Sequence, residues 1–323
     1  MSDIRILSAD EIRAIAPLNA EGIDLIADGF ARLAAGEVRQ PPVLSLDLVE
    51  ARGELDVKTA YVPGWESFCL KVSTGFFGNP DLGLPSASGL MILLSAQTGV
   101  PLAVLLDGGY LTDLRTALAG AVAARWLARE DAKSAAVIGA GAQARWQLRA
   151  LLLVRRLERA TVWARDPARA RTFADELSAE TGLAIEVQHD VAEALRDADI
   201  VVTTTPSREP LITVAMLRSG MHITAMGSDG EGKRELDHDV MLAADQVVVD
   251  EPDQSRTIGE LQDLAAPEEG GPRPVPLGDV VAGRRVGRRN DDDVTVCDLT
   301  GTGVQDTVIA RWVWSRATSQ LEQ

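Results

Sequence analysis

The stretch that most constrains the fold is Ser134-Ala135-Ala136-Val137-Ile138-Gly139-Ala140-Gly141-Ala142-Gln143-Ala144. A short apolar run of strand character ends in Gly-x-Gly-x-x-Ala, and a helical pattern follows from Arg145 to Val154. In such a unit the first glycine permits the tight turn. The second lets the backbone approach a pyrophosphate, and a small residue at Ala144 lets helix and strand pack closely. The free N–H groups and positive dipole end of the helix then suit a phosphate. A glycine loop without a ligand has the same spelling, so the weight of the motif comes from its surroundings.

Those surroundings alternate. Strands are expected at 160–164, 184–187, 200–205, 222–225, 246–250 and 294–297, with helices over 167–181 and 191–196. Residues 267–290 read as a loop with a short helix. The alternation predicts an α/β fold with a Rossmann-type doubly wound parallel sheet. Upstream the character differs. Two helices are expected within 8–36, the first opened by a capping box at Ser8, and strands follow at 43–46, 55–61, 68–72, 89–94 and 102–106. This predicts a second α+β domain with a mostly antiparallel sheet. Thr112 is placed to cap an Ala-rich helix running to about Arg129, and a last helix from Gly303 should return to the first domain. The expected division is 1–128 with 303–323, and 129–302 as the dinucleotide-binding domain; the length of 323 residues also suggests two domains.

A net charge of −16 argues against nucleic acid and anionic membrane as partners, although a local basic pocket can still hold a small anion. Cys69 and Cys297 lie in apolar settings and imply neither a disulfide framework nor a thiolate metal site. His189, His222 and His238 are scattered without metal-ligand spacing, so they read as structural and no metal is expected. The N-terminus shows no secretory pattern and no apolar run reaches membrane-spanning length, which points to the cytoplasm. Neither a Gly-x-Ser-x-Gly elbow nor a Cys/His pairing supports nucleophilic hydrolysis.

Four places could carry chemistry. Lys71 sits in an apolar strand, either pointing outward or buried with a lowered pKa that suits carboxylate binding or proton transfer. Arg115 is either a surface residue or a fork-shaped clamp for carboxylate or phosphate. Asp229 lies in Gly227-Ser228-Asp229-Gly230, after a strand of the parallel sheet, where such folds bind ligands; a turn residue is the plainer reading. The run Thr203-Thr204-Thr205 either faces a cofactor or simply favours a strand.

Taken together, Lys71, Gly83-Leu84-Pro85-Ser86, Thr98-Gly99, Leu114-Arg115-Thr116-Ala117, the glycine loop, Asp199-Ile200-Val201 with Thr205-Pro206, and Gly227-Ser228-Asp229 with Lys233 and Glu235-Leu236 resemble the ornithine cyclodeaminase/μ-crystallin family. The resemblance implies a nicotinamide cofactor, a homodimer built through the non-Rossmann domain, and redox chemistry at a carbon bearing an amino or imino group. It implies that the first domain also binds substrate, with Lys71 and Asp229 as the catalytic pair. Lys71, Arg115 and Thr300 would hold substrate. Ser86, Arg115, Gly139, Gly141, Ala142, Gln143, Arg165, Thr205 and Lys233 would contact the cofactor. The stretches Asp56 to Gly64 and Gly75-Phe76-Phe77 with Asn79-Pro80 are similar to a subgroup often labelled ectoine-utilisation cyclodeaminase, related to iminosuccinate reductases. That implies hydride transfer from NADH to iminosuccinate, a small anionic imine, giving L-aspartate.

Two departures bear on the substrate. Valine stands in Gln40-Pro41-Pro42-Val43-Leu44, at or beside the family's carboxylate-binding arginine, and Asp298-Leu299-Thr300-Gly301 replaces the family's Asp-Ser-x-Gly. Cofactor choice is divided. Alanine occupies the usual acid position in Val162-Trp163-Ala164-Arg165-Asp166, which leans to NADP, whereas the subgroup leans to NAD. Competing readings are an ornithine cyclodeaminase, an alanine dehydrogenase or ketimine reductase, and a nicotinamide-dependent binding protein like μ-crystallin.

Overall fold

A computed structural model describes residues 4–319, whose contacts group into two units, Met1–Arg115 with Thr302–Gln323, and Thr116–Gly301. The first unit starts with β1 (Arg5–Ser8), α1 (Ala9–Ile15) and α2 (Ala20–Ala34), then runs through β2 (Leu44–Leu48), β3 (Gly53–Ala60), β4 (Ser67–Phe76), β5 (Ala87–Ser95) and β6 (Pro101–Leu106). Its six strands take the order β1-β6-β5-β4-β3-β2. Only β1 runs parallel to its neighbour; the others are antiparallel. The capping box is present: Ser8 Oγ accepts from Glu11 N, and the Glu11 carboxylate accepts from Ser8 N at 2.8 Å. The four-residue β1 ends on that capping serine and carries too short a pattern to be foreseen.

The strands of this sheet alternate between two faces. Cys69 and Lys71 on β4, Met91 and Leu93 on β5, and Ala103 and Leu105 on β6 are buried on the inner face. The outer face is apolar and open, with Ile6 at 61%, Leu44 at 59% and Leu46 at 55% exposure. Helix α3 (Tyr110–Leu127) begins before Thr112, which corrects the expected cap. Asp107 caps it instead, its Oδ2 accepting from Leu111 N at 2.8 Å. Gly108 and Gly109 take φ of +62° and +94°, and this left-handed turn brings the carboxylate back over the helix start. The division between units falls inside α3, earlier than residue 128.

The second unit contains β7 (Ser134–Ile138), α4 (Ala142–Leu152), β8 (Arg159–Trp163), α5 (Pro167–Thr181), β9 (Ala184–Val187), α6 (Val191–Leu195) and β10 (Ile200–Thr203). It continues with β11 (His222–Ala225), α7 (His238–Ala243), β12 (Gln246–Val249), α8 (Pro252–Ile258), β13 (Val275–Pro276), α9 (Leu277–Val281) and β14 (Thr295–Asp298). The eight strands are ordered β13-β12-β14-β11-β10-β7-β8-β9. Every pairing is parallel. The inner strands are buried along their whole length, as a sheet covered on both faces requires. Asp199 ties two of them, its carboxylate accepting from Lys133 N, Ser134 N and Ser134 Oγ at the start of β7. His222 is buried between Thr295 and Thr224 hydroxyls at 2.9 Å each, and burial holds its pKa down to about 3, so the ring is neutral.

Helix α10 (Gly303–Ser319) returns to the first unit and packs on α2, β3 and β4. Gly303 makes this approach possible: a Cβ there would collide with the Thr59 carbonyl oxygen. Thr307 Oγ1 donates to the Ala60 carbonyl at 2.8 Å and accepts from Cys69 N at 3.2 Å, stitching the helix to both strands. The expected helix extends to residues 320–323, which lie outside the described residues.

Candidate active site

The glycine loop joins β7 to α4 in the second unit. Gly139 has φ +123°, and a Cβ there would sit 2.5 Å from Thr204 Oγ1, so only glycine fits. Gly141 is the N-cap of α4 with no side chain closing the helix end, and nothing lies within 4 Å of where its Cβ would be. The backbone at Gly141 therefore leaves room for a close approach to the start of α4, as a pyrophosphate requires. Arg145 braces the loop, donating from Nη1 to the carbonyls of Ala140 at 2.7 Å and Gly141 at 3.2 Å, while its guanidinium pairs with Glu176 and covers Phe173. Ala144 is fully buried against the sheet.

Around the carboxyl ends of β10, β11 and β14, buried carboxylates hold the loops. Glu235 accepts from Thr203 Oγ1 (2.5 Å), Thr205 N (2.5 Å), Thr205 Oγ1 (2.7 Å) and Gly227 N (2.8 Å). Burial raises its pKa to about 6, against the pull of those donors. Asp298 accepts from Ser255 Oγ and Glu260 N, and burial raises it to about 8. Asp250 accepts from Thr300 Oγ1 (2.9 Å) and Gly301 N (2.7 Å). Asp229 lies on the loop after β11 with its side chain about half exposed, and it accepts from Lys233 Nζ at 2.8 Å.

In the first unit, Lys71 projects from β4 into the inner face at 1% exposure. Its Nζ lies 3.0 Å from Asp306 Oδ2 on α10, and Asp306 Oδ1 lies 3.3 Å from Arg115 Nε on α3. All three are buried, yet neither contact is aligned as a hydrogen bond. Both Asp306 oxygens and Arg115 Nε lack a hydrogen-bond partner among the described residues. Burial, with Arg115 and Lys58 nearby, lowers the Lys71 pKa to about 7 against the opposing pull of Asp306. One carboxylate thus serves two buried cations.

The profile of the ornithine cyclodeaminase/mu-crystallin family matches residues 4–320. The chain belongs to this family. It is 48% identical to an uncharacterized cyclodeaminase of Sinorhizobium fredii, covering 98% of this chain and 97% of that one. Among solved structures it resembles an archaeal alanine dehydrogenase dimer with bound NAD, at 34% identity and TM-score 0.88, covering 98% and 97%. It also resembles the iminosuccinate reductase of Paracoccus denitrificans in complex with NAD+, at 31% identity and TM-score 0.87, again covering 98% and 97%.

In this family member the residues singled out from the sequence fall into three sets. Lys71 and Arg115 meet in the first unit, brought together by Asp306, which the motifs do not single out. Gly139, Gly141, Ala142 and Gln143 form the glycine loop and the first turn of α4, while Asp229 and Lys233 pair after β11. The remaining candidates are Thr205, Thr300, Ser86 and Arg165. The Thr205 and Thr300 hydroxyls donate to Glu235 and Asp250, because each closes a buried carboxylate network. Ser86 and Arg165 are exposed, Ser86 just before β5 and Arg165 after β8. The neighbouring Asp166 caps α5 by accepting from Ala168 N at 2.9 Å. Asp306 has one sequence signal: Gln305-Asp306-Thr307 puts three polar residues in succession next to Gly303, in a helix otherwise rich in apolar residues, and all three are buried.

Proposed function

We propose that this protein is a pyridine-nucleotide-dependent imine reductase that reduces iminosuccinate to L-aspartate. The observation carrying this reading is the buried trio of Lys71, Arg115 and Asp306, a cationic site on a rigid sheet face in a chain whose net charge is −16. Together with the uncapped glycine loop, it supplies the two requirements of such a reaction, an anion-binding site and a dinucleotide-binding turn.

The amides of Ala142 and Gln143 would hold the pyrophosphate of NAD, supported by Gly139 and Gly141, with Lys233 beside the same ligand. When bound, the reduced cofactor supplies the hydride. Arg115, with five N–H donors in a fixed fork, is suited to the carboxylate next to the imine carbon, since Val43 offers no charge for it. Lys71 is poised near neutral pH to hydrogen-bond or protonate the imine nitrogen, which makes the adjacent carbon more electrophilic. Asp229, solvent-accessible and paired with Lys233, would exchange the proton with solvent. A positioned general acid is worth about 10²- to 10⁴-fold in rate.

The apolar outer face of the six-stranded sheet would be covered by a second copy of the chain, giving a homodimer. The name of the Sinorhizobium fredii relative favours a cyclodeaminase as second reading. A diamine such as L-ornithine would bring another cation to a face already holding Lys58 and Lys71, and so would bind poorly. Turnover of L-ornithine without added cofactor would favour that second reading.

The test is a pair of substitutions. Lys71→Ala and Asp229→Asn should each lower imine reduction at least 10²-fold while NADH binding, followed by fluorescence, persists. Near-wild-type turnover in either variant would remove the role assigned to that residue.

A further inference from the structure

Lys58 and Lys71 are paired directly across β3 and β4. Opposite residues of an antiparallel pair project from the same face, with Cβ atoms about 4.5–5.5 Å apart. Both lysines therefore leave the inner face, and both are buried, at 6% and 1% exposure. The adjacent positions Val57 and Thr59 point the other way, so a lysine required only for solubility had a more exposed face one residue away. Charged side chains are rarely buried, and like charges directly opposite one another on a sheet are unfavourable.

The repulsion is felt at Lys71, where Lys58 and Arg115 both favour loss of the proton and Asp306 opposes them. Asp306 is already shared between Lys71 and Arg115. Lys58 has an interaction of its own within the protein, so a further anion would add to that contact. A four-carbon dicarboxylic imine carries its carboxylates two carbons apart, the scale on which adjacent strands set neighbouring side chains. One carboxylate and the imine nitrogen engage Arg115 and Lys71; the other needs a cation on the same face.

We propose that Lys58 determines substrate specificity by binding the carboxylate remote from the imine carbon. This rests on the reading of the protein as a reductase of a dicarboxylic imine. Lys58 thereby separates dicarboxylic substrates from monocarboxylic ones, which offer it no anion, and from diamines, which it repels.

The experiment measures KM for the imines formed from oxaloacetate plus ammonium and from pyruvate plus ammonium. Calorimetric dissociation constants for oxaloacetate and pyruvate, with NAD+ present, provide a readout independent of turnover. Wild type, Lys58→Gln, Lys58→Met and Lys58→Arg are compared, with Lys58→Met serving if Lys58→Gln does not fold. The expected result is that wild type prefers the four-carbon dicarboxylate. Both uncharged variants should reduce that preference at least tenfold in KM and in dissociation constant, and Lys58→Arg should recover most of it. A wild type that discriminates while both uncharged variants keep its preference overturns the assignment of Lys58 and leaves the reductase reading intact. A wild type that binds and reduces no dicarboxylic substrate overturns both.

Discussion

An ammonium with a pKa near 7 in a nearly inaccessible position is the feature on which the proposed chemistry rests. Asp306 opposes burial and the neighbouring cations in keeping Lys71 charged, so Asp306→Asn should lower the Lys71 pKa further. The limb of the kcat/KM profile that falls as pH rises through about 7 should move to lower pH, with partial rescue in Asp306→Glu; an unmoved limb would contradict the coupling. The stability linkage has the opposite sense. Between about 7 and its ordinary value, Lys71 is neutral in the fold but charged in the unfolded chain, so its contribution to stability rises with pH across that window. At this scale the sequence exposes residue types without their burial. Lys71 and Arg115 stand out as basic residues in apolar segments, but their meeting depends on α10, distant in the chain, which brings Asp306 over β4. Thr205 and Thr300 have the right chemistry for a ligand, and only the structure reveals that Glu235 and Asp250 already engage them.

Elements explain why these side chains hold their places. Helix α10 seats Asp306 because Gly303 lets the helix meet the β3 backbone, where even a methyl would run into the Thr59 oxygen. Gly303→Ala should therefore cost about 1–3 kcal/mol, measured by denaturant unfolding, and lower activity with it; a neutral effect would contradict this close packing. At the carboxyl end of β14, burial raises Asp298 to about 8, so the fold retains a proton that the unfolded chain has released. Its stabilisation is fully present below the ordinary carboxyl range and is lost as pH rises toward about 8. Asp298→Asn, which keeps an acceptor for Ser255 and Glu260, should flatten the decline of Tm over that window; an unchanged slope would show that Asp298 does not carry it. The long elements are legible because several periods of pattern specify them, and α5 occupies the residues that its pattern predicts. By contrast, β1, α7, α8 and β13 are short and owe their form to sheet pairing and packing.

For the whole molecule, two sheets differ in construction. The parallel sheet is apolar through its inner strands and ends in a glycine loop, a pattern that the amino-acid order alone displays. The antiparallel sheet buries charge on its inner face and leaves Ile6, Leu44 and Leu46 exposed on the outer one. Alternation in its strands announces a two-faced sheet, but not which face carries Lys71, because that depends on where α10 packs. If a second copy covers the apolar face, the protein should run as a dimer in light scattering, and Leu44→Glu with Leu46→Glu should give a monomer; a monomeric wild type would contradict that assembly. The central claim, reduction of a dicarboxylic imine by a pyridine nucleotide, is tested most directly by the absorbance of NADH mixed with the protein, oxaloacetate and ammonium. The account predicts protein-dependent loss of that absorbance with formation of aspartate, and faster loss than with pyruvate and ammonium. Unchanged absorbance with oxaloacetate and ammonium, with either NADH or NADPH as reductant, would contradict it.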